Sequence, residues 1–312
     1  MEGIVIKTTG SWITVRMQDN RKVDCKIKGQ FKIHGKKSTN PVAVGDHVEV
    51  LETPGQEAGL INKIMERHNY IIRKSKKLSK IYHVIAANID QAFLIVTAAF
   101  PRTHAGFMDR FLTTAEAYHI PATIIFNKTD LYDEAMQERH NELETIYTGA
   151  GYPVLSVSAF TGFQIEILRC MMAGKITLLS GHSGVGKSAL INALQPDLNA
   201  RTGIISDYHN KGKHTTTFAE MFELNSGGFI IDTPGIREFG LTDFRKEEVA
   251  ERFPEFRAIM HQCQFSNCTH THEPGCAVKA AFEEGKIHPS RYRNYISIFN
   301  DEEFDEIDYR EQ

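Results

Sequence analysis

At 312 residues, 41% hydrophobic and 24% charged, the chain can fill two or three domains and has the composition of an ordinary globular protein. No apolar run reaches the ~20 residues needed to cross a bilayer, AFLIVTAAF (92–100) coming nearest, and no apolar stretch follows MEGIVIKTTG as a signal peptide requires. A cytoplasmic protein is expected. The net charge of −3 divides unevenly, because residues 1–85 hold 16 Lys and Arg against 8 Asp and Glu, a balance of +8 that leaves −11 on the rest. A basic segment on an acidic body suggests a face for nucleic acid.

The first predicted elements are short strands. GSWITVRM and KVDCKIKG alternate, and VGDHVEVLE follows a Pro-containing loop, with Gly or Pro at the joints. Such spacing predicts a small five-stranded barrel of the oligonucleotide-binding (OB) kind over residues 1–72. Lys26, Lys28, Lys32, Lys36 and Lys37 interleave there with Trp12 and Phe31, which are either stacking platforms for bases or core residues. RKSKKLSK (73–80) reads as a basic linker. From about Asn88 the pattern changes to apolar strands alternating with helices. QAFLIVT, MDRFLTTAEAYHI, PATIIF, PVLSVS (153–158), a helix across 162–173 and KITLLS (175–180) follow in turn. That alternation predicts an α/β domain, with a mostly parallel sheet covered on both faces, over residues 73–240. Residues 241–312 read as helical, then rich in Cys and His, then helical again.

Four motifs sit at the ends of these strands. GHSGVGKS (181–188), between KITLLS and the helical SALINAL, has the Gly-x4-Gly-Lys-Ser spacing of a P-loop. Backbone N–H groups across Gly181, His182, Ser183, Gly184, Val185, Gly186, Lys187, Ser188 and Ala189 can wrap phosphates at a helix N-terminus. Lys187 would reach the β- and γ-phosphates, and the Ser188 hydroxyl would hold Mg²⁺. In FIIDTPG (229–235), Asp232 ends a strand and would hold Mg²⁺ through water, while the Gly235 N–H would meet the γ-phosphate. KGKHTTTF (211–218) places threonines where a switch loop would close over Mg²⁺; Thr216 and Thr217 are both candidates.

NKTD (127–130) reads as the guanine reader. The Asp130 carboxylate can accept from N1–H and the exocyclic amine of guanine, whereas adenine would leave it unpaired. Asn127 would bond the base edge or brace a neighbouring loop, the Lys128 stem would pack along the ring, and Thr129 completes the turn. In VSAF (157–160), Ser158 and Ala159 would present a backbone N–H to guanine O6. The order of these parts is that of a GTPase rotated, so the domain is expected to be circularly permuted, which neighbouring chain ends permit. Ile236 stands where many GTPases carry the glutamine that orients water. Catalysis is therefore assigned to His214, with Lys187 and Thr216.

Cys263, Cys268 and Cys276 with one imidazole suit a closed structural zinc site, the imidazole coming from His270, His272 or His261. Cys25 and Cys170 read as core residues. With the permuted motif order, the basic barrel in front and the Cys/His cluster behind, the whole chain resembles the ribosome small-subunit-dependent GTPase A (RsgA) family. IAANIDQ, GHSGVGKS, KHTTT, DTPGIREF and CTHTHEPGCAVKAA carry that resemblance. It implies a GTP-hydrolysing, rRNA-binding factor, with Mg²⁺ at its GTP, that acts late in assembly of the small ribosomal subunit and is stimulated by it. It also favours His270 as the zinc imidazole. GTP and GDP, the subunit and its rRNA are the expected partners, with no membrane, and the chain is expected to be a monomer.

Overall fold

Strands β1 (Glu2–Thr9), β2 (Trp12–Met17) and β4 (His47–Leu51) alternate buried and accessible positions over most of their length, the pattern of a sheet with one face turned inward. The structure is a computed structural model that describes residues 1–9, 12–27, 41–52, 58–74, 82–198, 220–232 and 246–300. With β3 (Lys22–Ile27) and β5 (Gly59–Ile64) the three strands form a closed barrel. β1 pairs antiparallel with β2 and β4, β2 with β3, and β4 with β5, while β3 and β5 run parallel. The strand order 1-2-3-5-4 therefore returns to its start, leaving no free edge within the ring. Val5, Ile13, Val15, Met17, Cys25, Val48, Val50 and Ile61 fill it. Cys25 is thus a core residue; Trp12 is not, being 44% exposed with the Lys26 ammonium 4.5 Å from its ring centre.

The stretch expected to be a linker begins as a strand. β6 (Tyr70–Lys74) pairs antiparallel with β7 (Tyr82–Ala87), so residues 73 and 74 belong to a hairpin, and residues 75–81 lie outside those described. The run of charge hid the β-branched pair Ile71–Ile72 just ahead of it, of which Ile71 is 2% exposed. Past the hairpin the Asn69 side chain bonds both backbone groups of Ile89, each at 2.8 Å.

The described chain divides into two compact units. The first comprises Met1–Phe93, Gln164–Ser180 and Lys187–Glu238. In it, β11 (Ile176–Ser180) lies parallel to β13 (Phe229–Asp232), and β12 (Glu220–Glu223) runs antiparallel between β13 and barrel strand β1. Lys7–Glu220 at 3.0 Å and Arg16–Glu223 at 2.5 Å reinforce that seam. Helices α3 (Ile165–Met172) and α4 (Lys187–Leu194) also belong here. Arg169 donates to the Ala193 and Leu194 carbonyls, satisfying the open C-terminal end of α4. Cys170, expected in the core, is exposed on α3, because the buried face of that helix is formed by Ile165, Leu168 and Met172.

The second unit comprises Leu94–Phe163, Gly181–Gly186 and Phe239–Gln312. It holds β9 (Ala122–Phe126) parallel to β10 (Val154–Ser156), and takes up strand β8 (Gln91–Val96) from Leu94 onward. β8 and β9 are buried at every position, as parallel strands covered on both faces should be. α1 (Ala105–Ala117) and α2 (Glu134–Gly149) follow β8 and β9. α2 was absent from the sequence reading although it carries a start signal: the Asp133 carboxylate caps it by accepting from Met136 N at 2.8 Å. The C-terminal part contains a helical turn α5 (Pro254–Arg257), α6 (Ala277–Glu283) and α7 (Pro289–Phe299) around Phe253, Phe256, Val278 and Tyr295. Among the described residues no helix is long and apolar enough to cross a membrane.

Candidate functional site

The NKTD loop leaves β9 through Lys128, whose backbone is left-handed at φ +63°. Asn127 is 1% exposed, and its amide does two jobs: Nδ2 donates to Val185 O at 2.9 Å and Oδ1 accepts from Ala159 N at 3.2 Å. Of the two roles open to it, the structure gives it the brace. It ties the Ser-Ala loop to the phosphate loop. Asp130 is exposed, and the buried Ser158 hydroxyl donates to one of its carboxylate oxygens while accepting from Thr161 N at 3.1 Å. A carboxylate oxygen has lone pairs for more than one donor, so this contact orients the group without exhausting it. Thr129 Oγ1 donates to Val157 O at 3.1 Å, and Lys128 Nζ to Phe100 O at 2.7 Å. Tyr132, which the sequence reading passed over, donates its hydroxyl to Asn127 O at 3.2 Å; burial pushes that hydroxyl up to about 12, so it stays a neutral donor. Its signal was an aromatic directly after NKTDL.

The phosphate loop follows β11 and ends where α4 begins at Lys187. Its glycines are required by space as well as by angle. Gly181 and Gly186 have φ +148° and +94°, and a Cβ would lie 2.3 Å from Ile95 O at Gly181 and 2.4 Å from Asn127 Nδ2 at Gly186. Val185 is fully buried, and the His182 ring lies 3.7 Å from that of Phe107, tilted by 33°. Base loop and phosphate loop, apart in sequence, thus pack through Asn127 within one unit. Asp232 ends β13. His214, Thr216, Thr217 and Gly235 lie outside the described residues.

The cysteine cluster forms as expected. One ligand atom from each of Cys263, Cys268, His270 and Cys276 lies within 4.8 Å of all the others. His270 Nδ1 stands 3.4 Å from Cys276 Sγ and 3.6 Å from Cys263 Sγ, and the two sulfurs are 4.0 Å apart. A tetrahedral zinc with bonds of about 2.0–2.3 Å needs ligand separations of roughly 3.5–3.8 Å, so this donor set fits such an ion. Burial pushes the Cys268 thiol up to about 12 and raises that of Cys276, so ionising them calls for a bound cation. His272 and His261 are exposed and stand outside the cluster. His270 is 1% exposed, with φ +58°, and is held from behind: Tyr292 donates its hydroxyl to His270 O at 2.7 Å and Tyr295 to Thr269 O at 2.6 Å. The Glu273 carboxylate accepts from Thr269 N, Thr269 Oγ1, Thr271 N and His272 N. Burial works against its charge, but those bonds win and hold it well below the usual carboxylate range.

Comparison with known proteins agrees with this arrangement. The RsgA GTPase family matches residues 64–242 and the RsgA N-terminal domain matches residues 2–61. A Bacteroides fragilis protein named small ribosomal subunit biogenesis GTPase RsgA is 51% identical over 303 residues, 97% of each chain. A Flavobacterium johnsoniae protein of the same name is 50% identical over 312 residues, 99% of this chain and 95% of its own. Among solved structures, YjeQ from Thermotoga maritima is 36% identical with a TM-score of 0.79, covering 96% of this chain and 97% of its own. YloQ, described as a circularly permuted GTPase, is 29% identical with a TM-score of 0.76, covering 96% and 94%. The closed barrel, the rotated order of base loop and phosphate loop, and these matches along nearly the whole length lead to one assignment: the chain belongs to the RsgA GTPase family and has its circularly permuted fold.

Proposed function

We propose that the chain hydrolyses GTP in step with late maturation of the small ribosomal subunit, is stimulated by that subunit and binds its rRNA. The observation that carries the nucleotide half is the Asn127 amide, which joins Ala159 of one loop to Val185 of the other, as a base reader and a phosphate cradle serving one ligand require. The names of the relatives supply the ribosomal half. In this reading Lys128, Thr129 and Asp130, with Ser158 and Ala159, hold guanine, and Asn127 braces the loops on either side of it. Gly181 to Ala189 wrap the phosphates, and the Gly235 N–H meets the γ-phosphate. Ser188, Asp232 and one of Thr216 and Thr217 would hold Mg²⁺, which would offset the charge developing between the β- and γ-phosphates. Lys187 steadies the same oxygens, and His214 orients the attacking water. Residues 1–72 act as the RNA-binding segment, 73–240 as the GTPase and 241–312 as the metal-bearing segment of a cytoplasmic monomer. Phosphate release with and without small subunits tests the whole reading. A rate that is zero in both cases would leave GTP as a structural ligand only.

Cys263, Cys268, His270 and Cys276 would hold one structural zinc. Cys268→Ser should release it and unfold the loop between Cys263 and Cys276, because metal binding in such small segments is itself folding free energy. Elemental analysis of the wild-type protein checks the premise, and a chain purified without zinc would end it.

The RNA segment is best probed by point changes. Deleting the barrel would also strip β1 from β12 and leave a bare strand edge. Trp12→Ala combined with Lys26→Ala removes an exposed stacking platform and its cation. Subunit affinity should fall about tenfold, since stacking contributes ~1–3 kcal/mol per base, and the salt dependence should flatten by about one charge. Sedimentation with subunits over a salt series reads both, and an unchanged affinity would return Trp12 to a purely structural role.

A further inference from the structure

We propose that Phe107 is a positioning residue for the phosphate loop, and that the buried Asp109–Arg291 ion pair holds it in place from the C-terminal helix. The proposal rests on reading Gly181–Gly186 as a nucleotide-binding loop. It starts from a buried ion pair between two helices. Asp109 on α1 is 0% exposed and Arg291 on α7 is 2% exposed, with Nη1 donating to Asp109 Oδ1 at 2.6 Å. Isolated charges are not tolerated at such depth, and here all three guanidinium nitrogens donate to carboxylates. Nε and Nη2 donate to the two Glu255 oxygens at 2.7 and 3.0 Å, and the group lies 4.5 Å from the Phe253 ring centre. Asn294, a further residue of α7, donates to the second Asp109 oxygen. This fixes α1 against α7 in one arrangement.

The two ends of that arrangement reach functional groups. Residues two apart on a helix point to different sides, so α1 can present Asp109 to α7 and Phe107 to the phosphate loop. Phe107 meets the His182 ring at 3.7 Å. On α7 the residue after Arg291 is Tyr292, whose hydroxyl holds the carbonyl of His270 in the metal cluster. A continuous set of contacts therefore runs from the cluster through α7, the ion pair and α1 to His182, all within the second unit. A cycle of variants measures the coupling along that set of contacts.

The readout is the dissociation constant and off-rate of a fluorescent GDP, together with zinc content and melting temperature. Phe107→Ala should weaken binding about three- to tenfold, mostly by faster release, as loss of a close aromatic pair predicts, and Phe107→Tyr should restore it. Arg291→Lys keeps the charge but loses the two-pronged contact. It should weaken nucleotide binding in the wild-type background and add nothing in the Phe107→Ala background. Should the lysine variant fail to fold, Asp109→Leu with Glu255→Gln and Arg291→Met removes all the charges of the cluster together and replaces it in the cycle. Unchanged nucleotide affinity in Phe107→Ala overturns the proposal, as do strictly additive effects of the two sites. A wild-type chain that binds no guanine nucleotide overturns the nucleotide reading itself, and this proposal with it.

Discussion

Asp130→Asn should lower GTP affinity by about 10²–10⁴-fold and move the preference to xanthine nucleotides. The two donors on the guanine edge each lose a charged acceptor, at ~1.5–3 kcal/mol per hydrogen bond, and meet an amide that can present its own N–H groups instead. Xanthine offers a carbonyl where guanine offers an amine, so the same amide becomes complementary to it. The fold should not suffer. Asp130 is exposed, and the Ser158 hydroxyl can donate to an amide oxygen as it does to the carboxylate, so the melting temperature should stay within a few degrees. Titration with GTP and xanthosine triphosphate decides the matter. An Asn variant with wild-type GTP affinity would remove Asp130 from base recognition.

What was legible in the chain was whatever local chemistry dictates. The P-loop spacing and the cysteine spacing each constrain a short stretch: the first has glycines where no Cβ fits, and the second brings its four ligand residues together. The barrel strands were legible through their alternation, and β8 and β9 through continuous apolar runs. Other features depend on partners distant in sequence. Asn127 could have bonded a base or a loop, and only the approach of Val185 and Ala159, 58 and 32 residues away, chose the brace. Likewise the choice among three histidines turned on which ring is buried beside three sulfurs. Asp109 and Arg291 are 182 residues apart and gave no sign of each other. Where composition was read without context it misled. The basic run from Arg73 conceals a strand, and helical periodicity alone places Cys170 inside whereas its side of α3 is exposed.

His214→Ala should keep GTP affinity and subunit binding while losing at least tenfold, and as much as ~10²–10⁴-fold, of the subunit-stimulated rate. The motive is a gap in the motif set: Ile236 occupies the place of the usual water-orienting glutamine, and its sec-butyl side chain can neither donate to water nor accept from it. His214 stands two residues before Thr216, so a threonine contact with Mg²⁺ would carry the imidazole toward the γ-phosphate. Imidazole accepts a proton from water only in its neutral form, which ties the proposed role to pH. The sign of the pH dependence follows. Stimulated turnover in the wild type should fall as pH drops and the imidazole takes up a proton, and the Ala variant should lose that limb of the profile along with most of its rate. A role confined to packing or RNA contact would lower subunit affinity and leave the pH limb in place. Near-wild-type stimulated turnover in the variant would hand the water to a ribosomal group or to another residue of the chain.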